Sequence, residues 1–118
     1  MQTSVKPAEG KLGIMIVGNG AVATTFMTGL LMTRRVLTKP IGSMTQYDKI
    51  RVGKGTEKKY LHYKDIVPLA SLDDIVFGTW DVYPQNAYQA AMYAEVRKEK
   101  DINPVKDELE KIKPMKAA

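Results

Sequence analysis

Gly18, Gly20 and Ala23 carry the most specific chemistry in the chain. They lie in Ile14-Met15-Ile16-Val17-Gly18-Asn19-Gly20-Ala21-Val22-Ala23-Thr24-Thr25, where an apolar run passes through a glycine turn into a helical pattern. The spacing is the G-x-G-x-x-G/A form of a dinucleotide-binding turn. Gly18 permits the tight turn, Gly20 has no Cβ to keep a pyrophosphate off the backbone, and Ala23 lets the helix pack close to the sheet. The following helix points its free N–H groups and the positive end of its dipole at the phosphates. A strand-to-helix turn with no ligand is the other reading of this spacing alone.

The remaining polar candidates are graded by what stands near them. Thr24 and Thr25 open the helix, where a hydroxyl either donates to phosphate or bonds back to the preceding turn. Asn19 either donates to a cofactor or serves by tolerating a left-handed backbone. Asp81 closes a second apolar run, at the carboxyl edge where open α/β sheets bind ligands. It is read as a ribose or adenosine contact, with a cap or turn aspartate as the alternative. The acid expected about 20 residues beyond the glycine loop is missing. Thr38 stands there and Asp48 comes later, so spacing does not decide between NAD and NADP. Ser43, Thr45 and Gln46 form a polar cluster, Trp80 is read as a packing residue, and His62 among Tyr60, Tyr63 and Lys64 as incidental. Asp73 and Asp74 are adjacent and make a poor acid–base pair or metal site. There is no cysteine, which removes thiolate chemistry and disulfides.

The elements that must hold these residues follow from periodicity. Leu12 to Val17 reads as a strand covered on both faces of a parallel sheet. A helix is expected from about Ala21 to Arg35, with Val22, Phe26 and Leu30 on its buried stripe, Met27 and Leu31 beside them, and Arg34 and Arg35 suiting its C-terminal dipole. From Thr38 to Pro68 the periodicity fails, and Tyr47–Val52 and Lys59–Tyr63 are expected to pair as a small hairpin. Ser71 caps a turn ahead of a strand from Ile75 to Val82. Pro84 and Asn86 open a second helix to about Lys98, and Asn103-Pro104 reads as the cap and first position of a third. No closing strand is expected after Pro114. Two strands, a hairpin and three helices do not complete a doubly wound sheet, so the chain reads as an N-terminal piece of something larger.

With 118 residues and no run approaching the roughly 20 apolar residues of a membrane span, the sequence fits one domain with a single core. The polar start, Met1 to Gly10, is neither a signal nor a transit sequence, and a cytoplasmic location is expected. The net charge of +5 is uneven. Residues 1–64 hold eleven Lys/Arg against three acids, and residues 65–118 seven against ten. A basic N-terminal half suits a polyanionic ligand, or lysines solvating a loop. A second function class is a nucleic-acid module on segment 47–64, using Lys49, Arg51, Lys54, Lys58, Lys59 and Lys64 with Tyr47, Tyr60 and Tyr63. Its basic cluster is broken by glycines and carries no RNA-binding motif.

Three blocks taken in order resemble one family, myo-inositol-phosphate synthase in its bacterial form. They are Val17 to Thr25, the glycine loop; Lys39 to Gln46, with its Gly42-Ser43-Met44-Thr45-Gln46 core; and Asp73 to Val82, with Gly78-Thr79-Trp80-Asp81 at the strand end. The sequence departs from the family at Asn19 and Ala21, where many members have a longer glycine run, and at Thr79, where the family has a second glycine. The resemblance implies an α/β fold, a partial Rossmann-like NAD-binding domain with parallel strands, flanking helices and a small hairpin. Residues 1–118 would be its N-terminal part, with the catalytic and tetramerisation domain outside them. It further implies NAD as cofactor, Gly18 to Thr25 and Asp81 as its contacts, and no catalytic residue in this chain. The implied reaction converts D-glucose 6-phosphate to an inositol monophosphate in a homo-oligomer without nucleic acid or membrane partners, and no metal-ligating residue is expected in this chain.

Overall fold

The computed structural model describes residues 6, 9–53, 55–56, 59–95 and 98–117. A parallel β–α–β unit forms its centre. Strand β1 (Leu12–Val17) leads through the glycine loop into helix α1 (Ala21–Arg34), and strand β4 (Ile75–Asp81) returns beside β1. The register runs from Leu12 opposite Ile75 to Val17 opposite Trp80. Between α1 and β4 the chain makes an excursion: α2 (Met44–Tyr47), a hairpin of β2 (Lys49–Val52) and β3 (Lys59–His62), and α3 (Tyr63–Ile66). After β4 come α4 (Ala87–Ala94), α5 (Glu99–Ile102), a 3-10 turn (Asn103–Val105), α6 (Lys106–Glu110) and the short strand β5 (Met115–Lys116).

The second crossover corrects three expectations. Pro114 is followed by a strand after all: β5 pairs parallel to β4, Trp80 opposite Met115 and Asp81 opposite Lys116, giving the sheet order β1-β4-β5. Two residues have no periodicity to read, which is why this strand was not expected. Helix α4 stops at Ala94, where Glu95 takes a left-handed conformation with φ 54°, rather than reaching Lys98. Asn103 is the C-cap of α5 rather than the N-cap of a third helix. Its Oδ1 accepts from the Tyr88 hydroxyl at 2.9 Å, and the third helix is broken into α5, the 3-10 turn and α6.

Helices α1, α4, α5 and α6 share one layer. Met27 and Leu31 of α1, Ala87 and Ala91 of α4, and Ile102, Val105 and Leu109 behind them form the buried core, with Ile16 and Phe77 reaching it from the sheet. The buried face of α1 keeps the expected Met27, Leu30 and Leu31 and departs from expectation at Val22 and Phe26. Thr24, Met27, Thr28 and Leu31 are inside, whereas Val22 and Phe26 are exposed, Phe26 standing edge-on to Phe77 at 5.9 Å. Met27 and Leu31 fill the space left by the small side chains of Ala87 and Ala91 on α4. The sheet is likewise not covered on both sides among the described residues. Met15, Val17 and Val76, on the face away from the helices, are exposed.

The local stops behave as the residue types dictate. Ser71 Oγ accepts from the Asp73 N–H, and Asn86 and Gln89 close a full capping box on α4. Arg34 and Arg35 do more than face a dipole. Arg34 donates to the carbonyls of Leu72 (2.6 Å) and Ile75, pinning the end of α1 to the start of β4. Arg35 donates to Glu108 and to the Pro104 carbonyl, pinning α1 to the second crossover.

Candidate dinucleotide site

The site starts where the β1–β4 ladder runs out. Gly18 extends it by one rung, its N–H donating to the Trp80 carbonyl at 2.7 Å, and then turns with φ 91°, a conformation that favours glycine. The next residue, Asn19, is held by Asp81, the last residue of β4. Its Oδ2 accepts from the Asn19 N–H at 2.7 Å and its Oδ1 from the Tyr83 N–H at 3.0 Å. One carboxylate thus ties the glycine loop to the loop after β4. The N–H donors of Tyr83 and then Asn19 hold the Asp81 carboxyl below its ordinary value, so it is ionised at neutral pH.

Gly20 is the N-cap of α1, in extended conformation with no side-chain cap and no acid in the first turn. A Cβ built on Gly20 meets no atom within 4 Å. The space over the loop is open, and the first-turn N–H groups of a 14-residue helix point into it. Two clefts flank the loop. On the outer side Val17, Gly18, Val22 and Phe26 line one. On the inner side Asn19, Gly20, Tyr83, Gln85, Ala90 and Tyr93 line another of about 460 Å³. Asn19 is only 7% exposed, and neither its Oδ1 nor its Nδ2 has a hydrogen-bond partner among the described residues.

The residues singled out from the sequence do not all converge. Gly18, Asn19, Gly20, Ala21 and Asp81 are brought together. Ala23 packs beside the core, and Val22 lies exposed on the outer cleft. The Thr24 hydroxyl bonds back to the Gly20 carbonyl at 2.8 Å, which resolves its two readings in favour of the helix. Thr25 lines a separate small cleft with Thr28, Thr38 and Asp101. Trp80 is a sheet residue, and His62 contacts the Asp48 carbonyl on the hairpin. Ser43 and Thr45 bond each other at 3.4 Å on the excursion. Asp74 pairs with Lys11, and no metal-binding cluster exists among the described residues.

Asp81 ends the strand beside β1 and touches the glycine loop although it is distant from it in sequence. The second strand beside β1 normally follows the first helix at once, but here the excursion of residues 38–70 separates them. Tyr83 and Tyr93 were not singled out from the sequence. Tyr83 carried a usable signal, two residues beyond Asp81, while Tyr93 is brought to the loop only by the packing of α4.

A parallel sheet, a glycine turn at its carboxyl rim and an acid on the adjacent strand together define a dinucleotide-binding chain of the Rossmann type. A family model for myo-inositol-1-phosphate synthase matches residues 12–118, and the chain belongs to that family. The matching region is the family's NAD-binding segment, and its cofactor is NAD. Inositol-3-phosphate synthase 1 of Bacteroides thetaiotaomicron is 59% identical over 119 residues, spanning 100% of this chain and 27% of that protein. The inositol-3-phosphate synthase of Citrus paradisi is 38% identical over 98 residues, 73% of this chain and 19% of its own length. The crystal structure of inositol-3-phosphate synthase from Caenorhabditis elegans superposes with a TM-score of 0.76 at 26% identity, covering 96% of this chain and 24% of that one. The chain thus spans about a quarter of the length of such relatives. Nothing among them supports the nucleic-acid module, whose Lys54 and Lys58 lie outside the described residues. No helix among the described residues is long and apolar enough to cross a membrane.

Proposed function

We propose that the chain is the N-terminal, cofactor-holding part of an inositol-3-phosphate synthase. That enzyme converts D-glucose 6-phosphate to myo-inositol monophosphate by oxidation, intramolecular aldol closure and reduction, as a cytoplasmic homo-oligomer. The observation that carries this reading is the Asp81 carboxylate bridging the glycine loop and the loop after β4 at the carboxyl rim of the sheet.

The donor set fits NAD. The open space over Gly20 admits a diphosphate, the first-turn N–H groups of Ala21, Val22 and Ala23 complement its charge, and Gly18 shapes the turn. Asp81, ionised and at the strand end, is placed for ribose hydroxyls and repels a 2′-phosphate, which favours NAD over NADP. NAD, when bound, supplies a hydride acceptor that is regenerated within the cycle. This chain's residues bind and orient it, and none is assigned a proton-transfer role.

The test is NAD binding to the chain by calorimetry. Gly20→Val places a branched side chain in the open space over the loop and is expected to weaken NAD at least 100-fold while the fold is kept. Unchanged affinity in that variant reduces the loop to a turn. Turnover of glucose 6-phosphate by the chain alone contradicts its assignment as a non-catalytic part.

A further inference from the structure

The dinucleotide site makes no use of the excursion between α1 and β4. Its two strands form a sheet by themselves, and no residue of it joins the buried core. Among the described residues its hydrogen bonds stay within residues 38–70. A two-stranded hairpin is marginal alone and gains stability from a third strand or a packed layer. This hairpin is also two-sided. The register sets Ile50 opposite Leu61 and Arg51 opposite Tyr60. Alternation therefore puts Ile50, Val52 and Leu61 on one side, and Lys49 and Arg51 on the other. All three apolar side chains are exposed. Strand β2 thus presents the repeat Lys49-Ile50-Arg51-Val52 along an edge that no other strand pairs among the described residues.

We infer that the open edge of β2 takes a third strand in which acidic and apolar residues alternate, supplied by the part of the enzyme outside these 118 residues. This rests on the preceding assignment of the chain to a larger synthase, and the chain spans about a quarter of the length of its relatives. The N–H and C=O groups of an open edge accept any extended segment, and the alternate side chains select which one. Carboxylates beside Lys49 and Arg51 form opposite-charge cross-strand pairs, while apolar residues extend the Ile50, Val52 and Leu61 side. A second copy of the arm is the occupant this edge rejects. Residues 38–70 carry seven Lys/Arg against three acids, and basic side chains on an edge strand keep like edges apart. Single-stranded RNA meets the same cations but makes no use of the apolar side.

The probe is an array of overlapping peptides, each about 12 residues long to hold one strand with its flanks. They cover the Bacteroides thetaiotaomicron synthase outside its 119 matched residues. Binding of the chain is expected to concentrate in peptides whose acidic and apolar residues alternate. The best of them is then measured in solution by calorimetry. Lys49→Glu combined with Arg51→Glu is expected to weaken it about tenfold. Lysine in place of the peptide's acidic residues should restore binding to that variant, which a chain with a lost hairpin could not show. NAD affinity should be the same in the variant and the unaltered chain, because the arm is remote from the glycine loop. The inference is overturned by an array without binding, by binding that ignores the alternation, or by failure of the charge swap. It is equally overturned by a dimer held through the arm in sedimentation, or by oligouridine binding more tightly than the best peptide. Any of these with NAD binding intact leaves the cofactor assignment standing, and failure to bind NAD as well overturns both.

Discussion

Two parts of this chain are built on different physics. The β–α–β unit and second crossover, residues 12–34 and 75–117, contain every buried residue of the described chain. The excursion at 38–70 contains none. Its two strands are exposed or half-buried throughout, and Ile41, Met44, Ile50 and Leu61 stand in solvent. It is held by hairpin hydrogen bonds and single helical turns, whereas the first part is held by a packed core. The glycine loop sits wholly on the packed part, where a shift at Gly18 or Asp81 must move the β1–β4 ladder. A dinucleotide cradle needs that rigidity, because its contacts are backbone N–H groups whose positions only the fold can set. The excursion, with few buried apolar contacts, belongs at the low-stability end of the molecule.

The sharpest way to break this contrast is to remove one methyl-rich side chain from each part. Leu109 is 0% exposed within the core, and Leu109→Ala is expected to cost about 2–5 kcal/mol through lost burial and the cavity left behind. Ile50→Ala on the hairpin is expected to cost no more than about 0.5 kcal/mol. Denaturant melts followed by far-ultraviolet circular dichroism measure both. Comparable costs at the two sites would show that the excursion is packed into the same cooperative unit.

Asp81 gives a middle-sized effect with a defined pH dependence. Its folded carboxyl is held below the ordinary value of 3.8 by the Tyr83 and Asn19 N–H donors. A depressed folded value means the carboxylate stabilises the fold fully above about pH 4, and this contribution is lost as pH falls through the lower folded value. Asp81→Asn is therefore expected to lower the thermal midpoint by a few degrees at pH 7. The gap to the unaltered chain should narrow below the ordinary carboxylate value. A gap that is the same at pH 7 and pH 3 would mean the carboxylate's charge does not hold the loop.

What the sequence discloses divides along the same line of local against distant. The β1–glycine turn–α1 unit, the Ser71 cap and the Asn86 start are legible because each is decided within four or five residues. The buried face of α1 is legible at Met27, Leu30 and Leu31 but not at Thr24 and Thr28, which tertiary packing brings inside. Strand β5 is two residues long and exists only because β4 offers it an edge. Asn103 looks like an N-cap by type, yet it closes the C-terminus of α5 and its side chain accepts from Tyr88. The site shows the same division. Of the proposed site, the Gly18–Ala21 loop is a local pattern, while Asp81 joins it only through strand pairing. Tyr93 was out of reach without the packing of α4 against the loop.

The smallest expected effect lies at the joint between the two parts. Helix α1 ends in a Schellman arrangement. The Leu37 N–H donates to the Met32 carbonyl at 3.0 Å, and the Val36 N–H to the Thr33 carbonyl, also at 3.0 Å. That arrangement places Val36 in the left-handed region with φ 57°, where glycine is usual and a β-branched residue is strained. Its side chain is 87% exposed, so no packing offsets the strain. Val36→Gly removes a steric cost of about 1–2 kcal/mol and adds up to about 1 kcal/mol of lost unfolded-chain freedom. The net expectation is a gain of about 0.5–1 kcal/mol, read in the same denaturant melts. Because the joint closes α1, the gain should appear in the main transition and leave NAD affinity unchanged. Loss of stability in Val36→Gly would mean that the valine side chain holds the excursion against the helix, and the two parts would then be less separate than their burial indicates.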